Sequence, residues 1–201
     1  MKTKKMDTRR LVLLAMLSGI LLIMSFTPLG YLNIGPLAIS LNMIPVAIGA
    51  VALGPGGGAF LGAVFGVTSC LQCVGIGGTS AMGVILFEIS PVLTIVQRFV
   101  TRTLAGFLTG LVYRWLNKHF RFSAYVAGFC AALFNTVLFM AALVLLFGNT
   151  QYLQDLIAGR NILVFIVSFV GINAAVELLA ATVVVGAVCT ALKKLKLIGG
   201  E

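Results

Sequence analysis

Charged residues are scarce in this sequence, and acidic ones are the scarcest. The 201 residues include 5 Asp and Glu, 14 Lys and Arg and one His. A soluble domain carries charge on about a quarter of its residues, so a charged fraction of 9% excludes an ordinary soluble protein. No His/Glu cluster or acidic cluster suits a catalytic metal, and Gly54–Gly58 lacks the Lys-Ser/Thr of a phosphate-binding loop. The sequence therefore predicts neither an enzyme nor ATP hydrolysis by this chain, and no cofactor bound to it.

Apolar residues dominate instead, at 60% of the chain with a mean hydropathy of +1.13. A helix needs about 20 apolar residues to cross a bilayer. The length therefore predicts one all-α domain over residues 1–201, an integral membrane bundle of six transmembrane helices. The predicted spans are about 10–27, 42–53, 59–71, 91–115, 123–147 and 161–192.

The positive charges fall into three clusters separated by apolar tracts. Cytoplasmic loops of membrane proteins hold such excesses, so we expect both termini in the cytoplasm and an even number of crossings between clusters. The outer loops then lie at about 28–41, 72–90 and 148–160. Confinement of the charge to loops suits the anionic surface of a lipid bilayer, or a partner protein, better than nucleic acid. The clusters are Lys2, Lys4, Lys5, Arg9 and Arg10; Arg114, Lys118 and Arg121; and Lys193, Lys194 and Lys196.

Five polar residues interrupt the last three spans, at predicted depths of about 12–24 Å below their outer ends. They are Arg98, Arg102, Asn135, Asn173 and Glu177. Polar groups inside a membrane are costly and mark candidate functional sites. In a structural interpretation Arg102 pairs with Glu177 and the asparagines bond across helices. In a functional one, Arg98 presents its guanidinium to an anionic ligand and the asparagines bond ligand hydroxyl or amide groups.

Further candidates lie at the outer loops. Uncharged Gly- and Pro-punctuated segments, Phe26–Ser40 and Gly75–Ser90, are predicted to fold over the bundle as a lid. We include the polar residues near these loops among the candidate substrate-binding groups. They are Asn33, Asn42, Glu88 and Tyr152. Cys70 and Cys73 form a C-x-x-C pair without a second pair or a nearby His, which favours thiols or an incidental disulfide over zinc.

The second and third spans carry the most specific pattern. It consists of Ile44-Pro45-Val46-Ala47-Ile48-Gly49-Ala50, Leu53-Gly54-Pro55, Gly58, Gly62 and Phe65-Gly66. An apolar span that opens with Ile-Pro and closes on a Gly-Pro turn resembles the S-components, the substrate-binding membrane subunits of energy-coupling factor vitamin transporters. The resemblance covers nearly the whole chain. Ala15 and Gly19 are similar to the family's small-residue motif on the first helix, with Gly19 in place of the usual Ala.

The resemblance implies a subunit of a prokaryotic plasma-membrane importer. It would capture a vitamin from outside and associate with a transmembrane coupling subunit, through Ala15 and Gly19, and with two cytoplasmic ATPases that use ATP and Mg²⁺. Ser90-Pro91-Val92-Leu93 leading to Arg98 looks most like the pantothenate-type members, although Ser90 and Gln97 replace their Asn and second Pro.

Several alternatives stay open at this point. Folate, pyridoxine-like compounds and riboflavin are other vitamins of the same family. A stand-alone secondary transporter would need a site for a coupling ion, for which Asn173 and Glu177 are the candidates, and the chain shows no convincing internal repeat. A lipid-metabolising enzyme or a purely structural subunit would also be a membrane protein.

Overall fold

The computed structural model describes residues 8–33, 38–77, 80–120, 122–195 and 197–198. Within that part of the chain the fold is a helical bundle, as predicted, with one short β-hairpin in addition. Two 3₁₀ turns, Pro28–Gly30 and Gln72–Val74, follow α1 and α3. The elements are α1 (Thr8–Phe26), β1 (Tyr31–Asn33), β2 (Ala38–Ser40), α2 (Met43–Leu53), α3 (Pro55–Leu71), α4 (Ala81–Ile89), α5 (Pro91–Leu116), α6 (Ser123–Phe147), α7 (Gln151–Ile157) and α8 (Ile162–Lys194).

Helices α4 and α7 lie in segments that the sequence predicted as loops. Each begins at a hydroxyl cap: Ser80 Oγ accepts a hydrogen bond from the Gly83 N–H at 3.3 Å, and Thr150 Oγ1 accepts one from the Leu153 N–H at 3.4 Å. Each also buries a leucine, Leu86 or Leu153, in a shared apolar cluster. The caps and the buried leucines explain why these short segments are helical rather than irregular.

The segment after α1 forms an antiparallel hairpin, which is the exception to the all-helical prediction. Tyr31 pairs with Ser40, and Asn33 pairs with Ala38. The Gly30 carbonyl oxygen accepts the Leu41 N–H at 3.0 Å and closes the base of the hairpin. Pairing satisfies backbone groups that a loop near membrane depth would leave without partners.

Four helical stretches in the described residues are long and apolar enough to cross a membrane. They are Thr8–Phe26, Pro55–Val74, Ser123–Phe147 and Asn173–Lys194. Helix α5 has 26 residues but carries Arg98 and Arg102, while α2 has 11 residues, about 16 Å of helix.

The closest helix contact joins α3 to α5. A side chain at Gly58 would collide with the Gly106 carbonyl oxygen, and one at Gly106 would collide with that of Gly58. A side chain at Gly62 would meet the Arg102 carbonyl oxygen in the same way. Small residues let helix backbones approach in membrane bundles, and here they bring α3 against the helix that carries both buried arginines.

We expect Gly58→Ala to lower the free energy of unfolding by about 1–3 kcal/mol, because the added methyl group must displace backbone rather than a flexible side chain. Gly56→Ala is the matched control, since a Cβ there has no neighbour within 4 Å. Thermal unfolding in detergent measures both. Equal stability of the two variants would contradict the close contact.

Candidate functional site

A cavity of about 610 Å³ lies at the end of the bundle where α1 and α3 end. Its volume falls in the range of small-molecule pockets, about 300–1,000 Å³. The hairpin, the 3₁₀ turn after α3, α4, α5, α6 and α8 all contribute to its wall. Its polar lining consists of Ser25, Thr27, Tyr31, Ser40, Gln72, Ser80, Arg98, Arg102, Asn135, Thr136, Asn173 and Glu177.

The Arg98 guanidinium is held from two other elements. Nη1 donates to Ser69 Oγ on α3 at 2.7 Å, and Nη2 donates to Ser80 Oγ at the start of α4 at 3.1 Å. The Nε–H group is buried and has no hydrogen-bond partner among the described residues. Each Nη carries two N–H groups, so the serines fix the plane of the guanidinium and leave donors for a ligand.

The Arg102 guanidinium is stabilised by aromatic rings rather than by a carboxylate. Its central carbon lies 4.5 Å from the centre of the Phe65 ring and 5.5 Å from that of Phe139. Nη1 donates to the Arg98 carbonyl oxygen at 3.2 Å. Cation–π contacts stabilise a desolvated guanidinium, and two rings are available to Arg102 here.

The ion pair of Arg102 with Glu177, which the structural interpretation expected, is not found among the described residues. Glu177 Oε1 instead accepts a hydrogen bond from the Ser40 N–H at 2.6 Å. Glu177 and Arg102 both line the cavity. A short charge-assisted bond to the backbone thus ties α8 to the hairpin, a role that the sequence did not suggest.

The two predicted asparagines meet in the same wall. Asn135 on α6 and Asn173 on α8 are both buried and both line the cavity. In the part of the chain that the structure describes, Asn135 Oδ1 has no hydrogen-bond partner. Of the nine predicted substrate-binding residues, five are brought together: Arg98, Arg102, Asn135, Asn173 and Glu177.

Three other candidates lie elsewhere, and the fourth is only partly described. Glu88 on α4 is exposed, and Tyr152 on α7 packs against an apolar cluster. Asn42 is buried under the hairpin, where Nδ2 donates to the Gly30 carbonyl oxygen at 3.4 Å. These three do not line the cavity. Asn33 belongs to β1, but its side chain lies outside the described residues.

Several cavity residues were missed by the sequence reasoning. Gln72 Nε2 donates to the Ser25 carbonyl oxygen at 2.7 Å, joining α3 to the end of α1. The Tyr31 hydroxyl is buried near the Gln72 and Asn42 amides, and among the described residues it makes no hydrogen bond of standard geometry. Burial raises the pKa of Tyr31, so this hydroxyl stays protonated and able to donate. The available signal was position: both residues lie in segments that the sequence analysis predicts as outer loops, at the ends of apolar spans.

The electrostatic balance of the cavity favours an anion. Its described lining residues include two basic side chains, Arg98 and Arg102, and one acidic side chain, Glu177. A net positive charge in surroundings of low dielectric attracts a negatively charged ligand strongly.

The chain matches the family model described as "ECF transporter, substrate-specific component" over residues 9–189. It belongs to this family. The substrate-specific component is a non-catalytic transport subunit that works with other components of the transporter. Together with the four apolar helices, the match makes this chain a multi-pass membrane protein, and it confirms the family predicted from the sequence.

Two curated relatives extend the comparison. The chain is 29% identical over 191 residues to the "Pantothenate transporter PanT" of Leuconostoc mesenteroides subsp. mesenteroides, covering 90% of each chain. It is 28% identical over 188 residues to the "Pantothenic acid transporter PanT" of Lactococcus lactis subsp. cremoris, covering 86% of this chain and 94% of that one.

In this substrate-specific component, we expect Glu177→Ala to accelerate amide hydrogen exchange at Ser40 by about ten-fold or more, because a hydrogen bond to a charged group contributes about 1.5–3 kcal/mol. Hydrogen exchange followed by mass spectrometry of peptides from the hairpin measures this. Glu88→Ala, on exposed α4, is the control and should leave the hairpin unchanged. Unaltered exchange in Glu177→Ala would show that the carboxylate does not hold the hairpin.

Proposed function

We propose that this chain captures pantothenate from outside the cell. Import would then be driven through a transmembrane coupling subunit by two cytoplasmic ATPases, which would bind ATP and Mg²⁺, while this chain would bind no cofactor. The observation that supports this proposal most directly is the cavity, in which two buried arginines lie beside amide and hydroxyl groups. The two PanT relatives support the choice of vitamin.

The chemistry of pantothenate complements this wall. Pantothenate has one carboxylate, two hydroxyls and an amide. The Arg98 guanidinium, oriented by Ser69 and Ser80, suits a carboxylate. Asn135 and Asn173 suit the amide and hydroxyl groups. The apolar part of the lining, with Phe139, Met82 and Met140 among its members, suits the methyl and methylene groups.

The proposed topology has six crossings, with both termini in the cytoplasm of a prokaryotic cell and the cavity facing outward. The helix contacts support it. Lys193 at the end of α8 donates to Asn117 just after α5, and the cavity lies at the opposite end of both helices. The described basic residues of the three clusters therefore gather at one end of the bundle, as the positive-inside rule expects.

The face of α1 around Ala15 and Gly19 is the proposed contact with the coupling subunit. Ala15 is exposed, and a Cβ added at Gly19 would have no neighbour within 4 Å. The surrounding exposed residues on this helix are apolar, such as Val12 and Met16. An open stripe of small residues allows close approach of another helix.

We expect purified protein to bind pantothenate without ATP, and Arg98→Ala to weaken binding by about 2–5 kcal/mol through loss of the carboxylate partner. Isothermal titration calorimetry in detergent measures the affinity, with folate, pyridoxine and riboflavin as comparison ligands. Mass spectrometry of the purified protein identifies any vitamin that copurifies.

Arg160→Ala is the matched control, because Arg160 is exposed after α7 and does not line the cavity. Equal affinity for Arg98→Ala and the native protein would remove the carboxylate role. Preferential binding of another vitamin would replace pantothenate, and uptake into vesicles that lack any ATPase would favour a secondary transporter.

Gly19→Leu is expected to reduce copurification with the coupling subunit and pantothenate uptake, while pantothenate affinity in detergent stays unchanged. The open surface at Gly19 accommodates the larger side chain within this chain, but an approaching helix would collide with it. Gly56→Ala, in open space on another helix, serves as the control. Full complex formation by Gly19→Leu would place the coupling contact elsewhere.

A further inference from the structure

The bundle end opposite the cavity carries positive charge without described acidic partners. Four basic residues lie at that end, at or just after the end of α5 and at the end of α8, and we call them the basic rim: Arg114, Lys118, Lys193 and Lys194. The described acidic residues, Glu88, Asp155 and Glu177, all lie toward the cavity end. The described residues therefore supply no carboxylate to the basic rim, which leaves its charges available to an external anion.

Lys193 is held in place at a junction of three helices. Its Nζ donates to Asn117 Oδ1 at 2.9 Å and lies 5.2 Å from the centre of the Tyr113 ring. Ser123 Oγ at the start of α6 donates to the same Asn117 oxygen at 3.1 Å. An ammonium has three N–H donors, so a fixed Lys193 retains donors for a further acceptor.

Exposed aromatic rings flank these charges. The exposed fractions of Trp115, Phe120 and Phe122 are 69%, 61% and 68%. All three lie at or near the turn between α5 and α6, within a few residues of Arg114 and Lys118. Aromatic rings of this kind sit at the level of lipid headgroups, which puts the basic rim at the depth of the lipid phosphates.

We propose that the basic rim binds the phosphate of an anionic phospholipid, beside the contact that joins Asn117 to Lys193 at the end of α8. Arg114 suits a phosphate because its guanidinium donates in a planar fork, and Lys193 adds a positioned charge. Basic pockets between membrane helices take anionic headgroups in this way. The acyl chains would lie along the exposed apolar faces beside Trp115. The proposal does not depend on which vitamin occupies the cavity.

The single tryptophan of the chain provides the test, because bromine on a nearby lipid chain quenches its fluorescence. The full chain is titrated in mixed micelles with brominated phosphatidylglycerol or brominated phosphatidylcholine. We expect phosphatidylglycerol to quench Trp115 at lower mole fraction. Each charge removed by Arg114→Gln, Lys118→Gln or Lys193→Gln should reduce that preference by up to about five-fold, and 1 M salt should reduce it strongly.

Two further variants distinguish a site that depends on the position of Lys193 from an effect of the overall charge of the protein. Asn117→Ala keeps every charge but frees Lys193, and should reduce the preference. Arg160→Gln removes one charge at the cavity end and should leave it unchanged. Quenching is compared only among variants whose circular dichroism spectrum matches that of the native protein.

Three outcomes would overturn the proposal. Equal quenching by the two lipids would show no preference for an anionic headgroup. If Arg160→Gln and Lys193→Gln reduced the preference for phosphatidylglycerol equally, the preference would come from net charge and not from a site at the basic rim. Displacement of phosphatidylglycerol by millimolar inorganic phosphate would show a site for free phosphate instead of a lipid.

Discussion

Two guanidinium groups inside an apolar bundle are the constraint around which this structure is organised. A charge in hydrocarbon is costly unless protein groups replace its hydration. Arg98 receives that replacement from two serine hydroxyls, and Arg102 from a carbonyl oxygen and two aromatic rings. Because the described carboxylate in the cavity wall bonds the hairpin instead, the arginines keep a positive field that an anionic substrate can satisfy.

The glycines of α3 and α4 make this arrangement possible. Gly62 lies against the Arg102 backbone, and Ser69 two turns later reaches the Arg98 guanidinium. At Gly83, a Cβ would lie 2.6 Å from Arg98 Nη2 and 3.0 Å from Cys73 Sγ. The small residues on α3 and α4 therefore serve the arginines directly. Larger residues at these positions would push the helices apart and move the serine hydroxyls away from the guanidinium group that they contact.

The sequence identifies the site residues whose side chains are charged or polar within an otherwise apolar span. Arg98, Asn135 and Glu177 stand out because such residues are rare within membrane spans. Ser69 and Ser80 do not, because hydroxyl residues are common in helices and caps, and only the packing shows which of them meet an arginine. Glu88 was misassigned for a related reason: a nine-residue helix in a segment expected to be a loop turned its carboxylate outward.

The bond between Glu177 and the hairpin joins a side chain to a main-chain amide. Nineteen amino acids offer that amide equally, so substitutions at position 40 preserve the tether while changing what the strand presents to the cavity. Only proline lacks the N–H group. The side chain of this strand residue can therefore change without loss of the bond, whereas a residue without a carboxylate at position 177 would remove it.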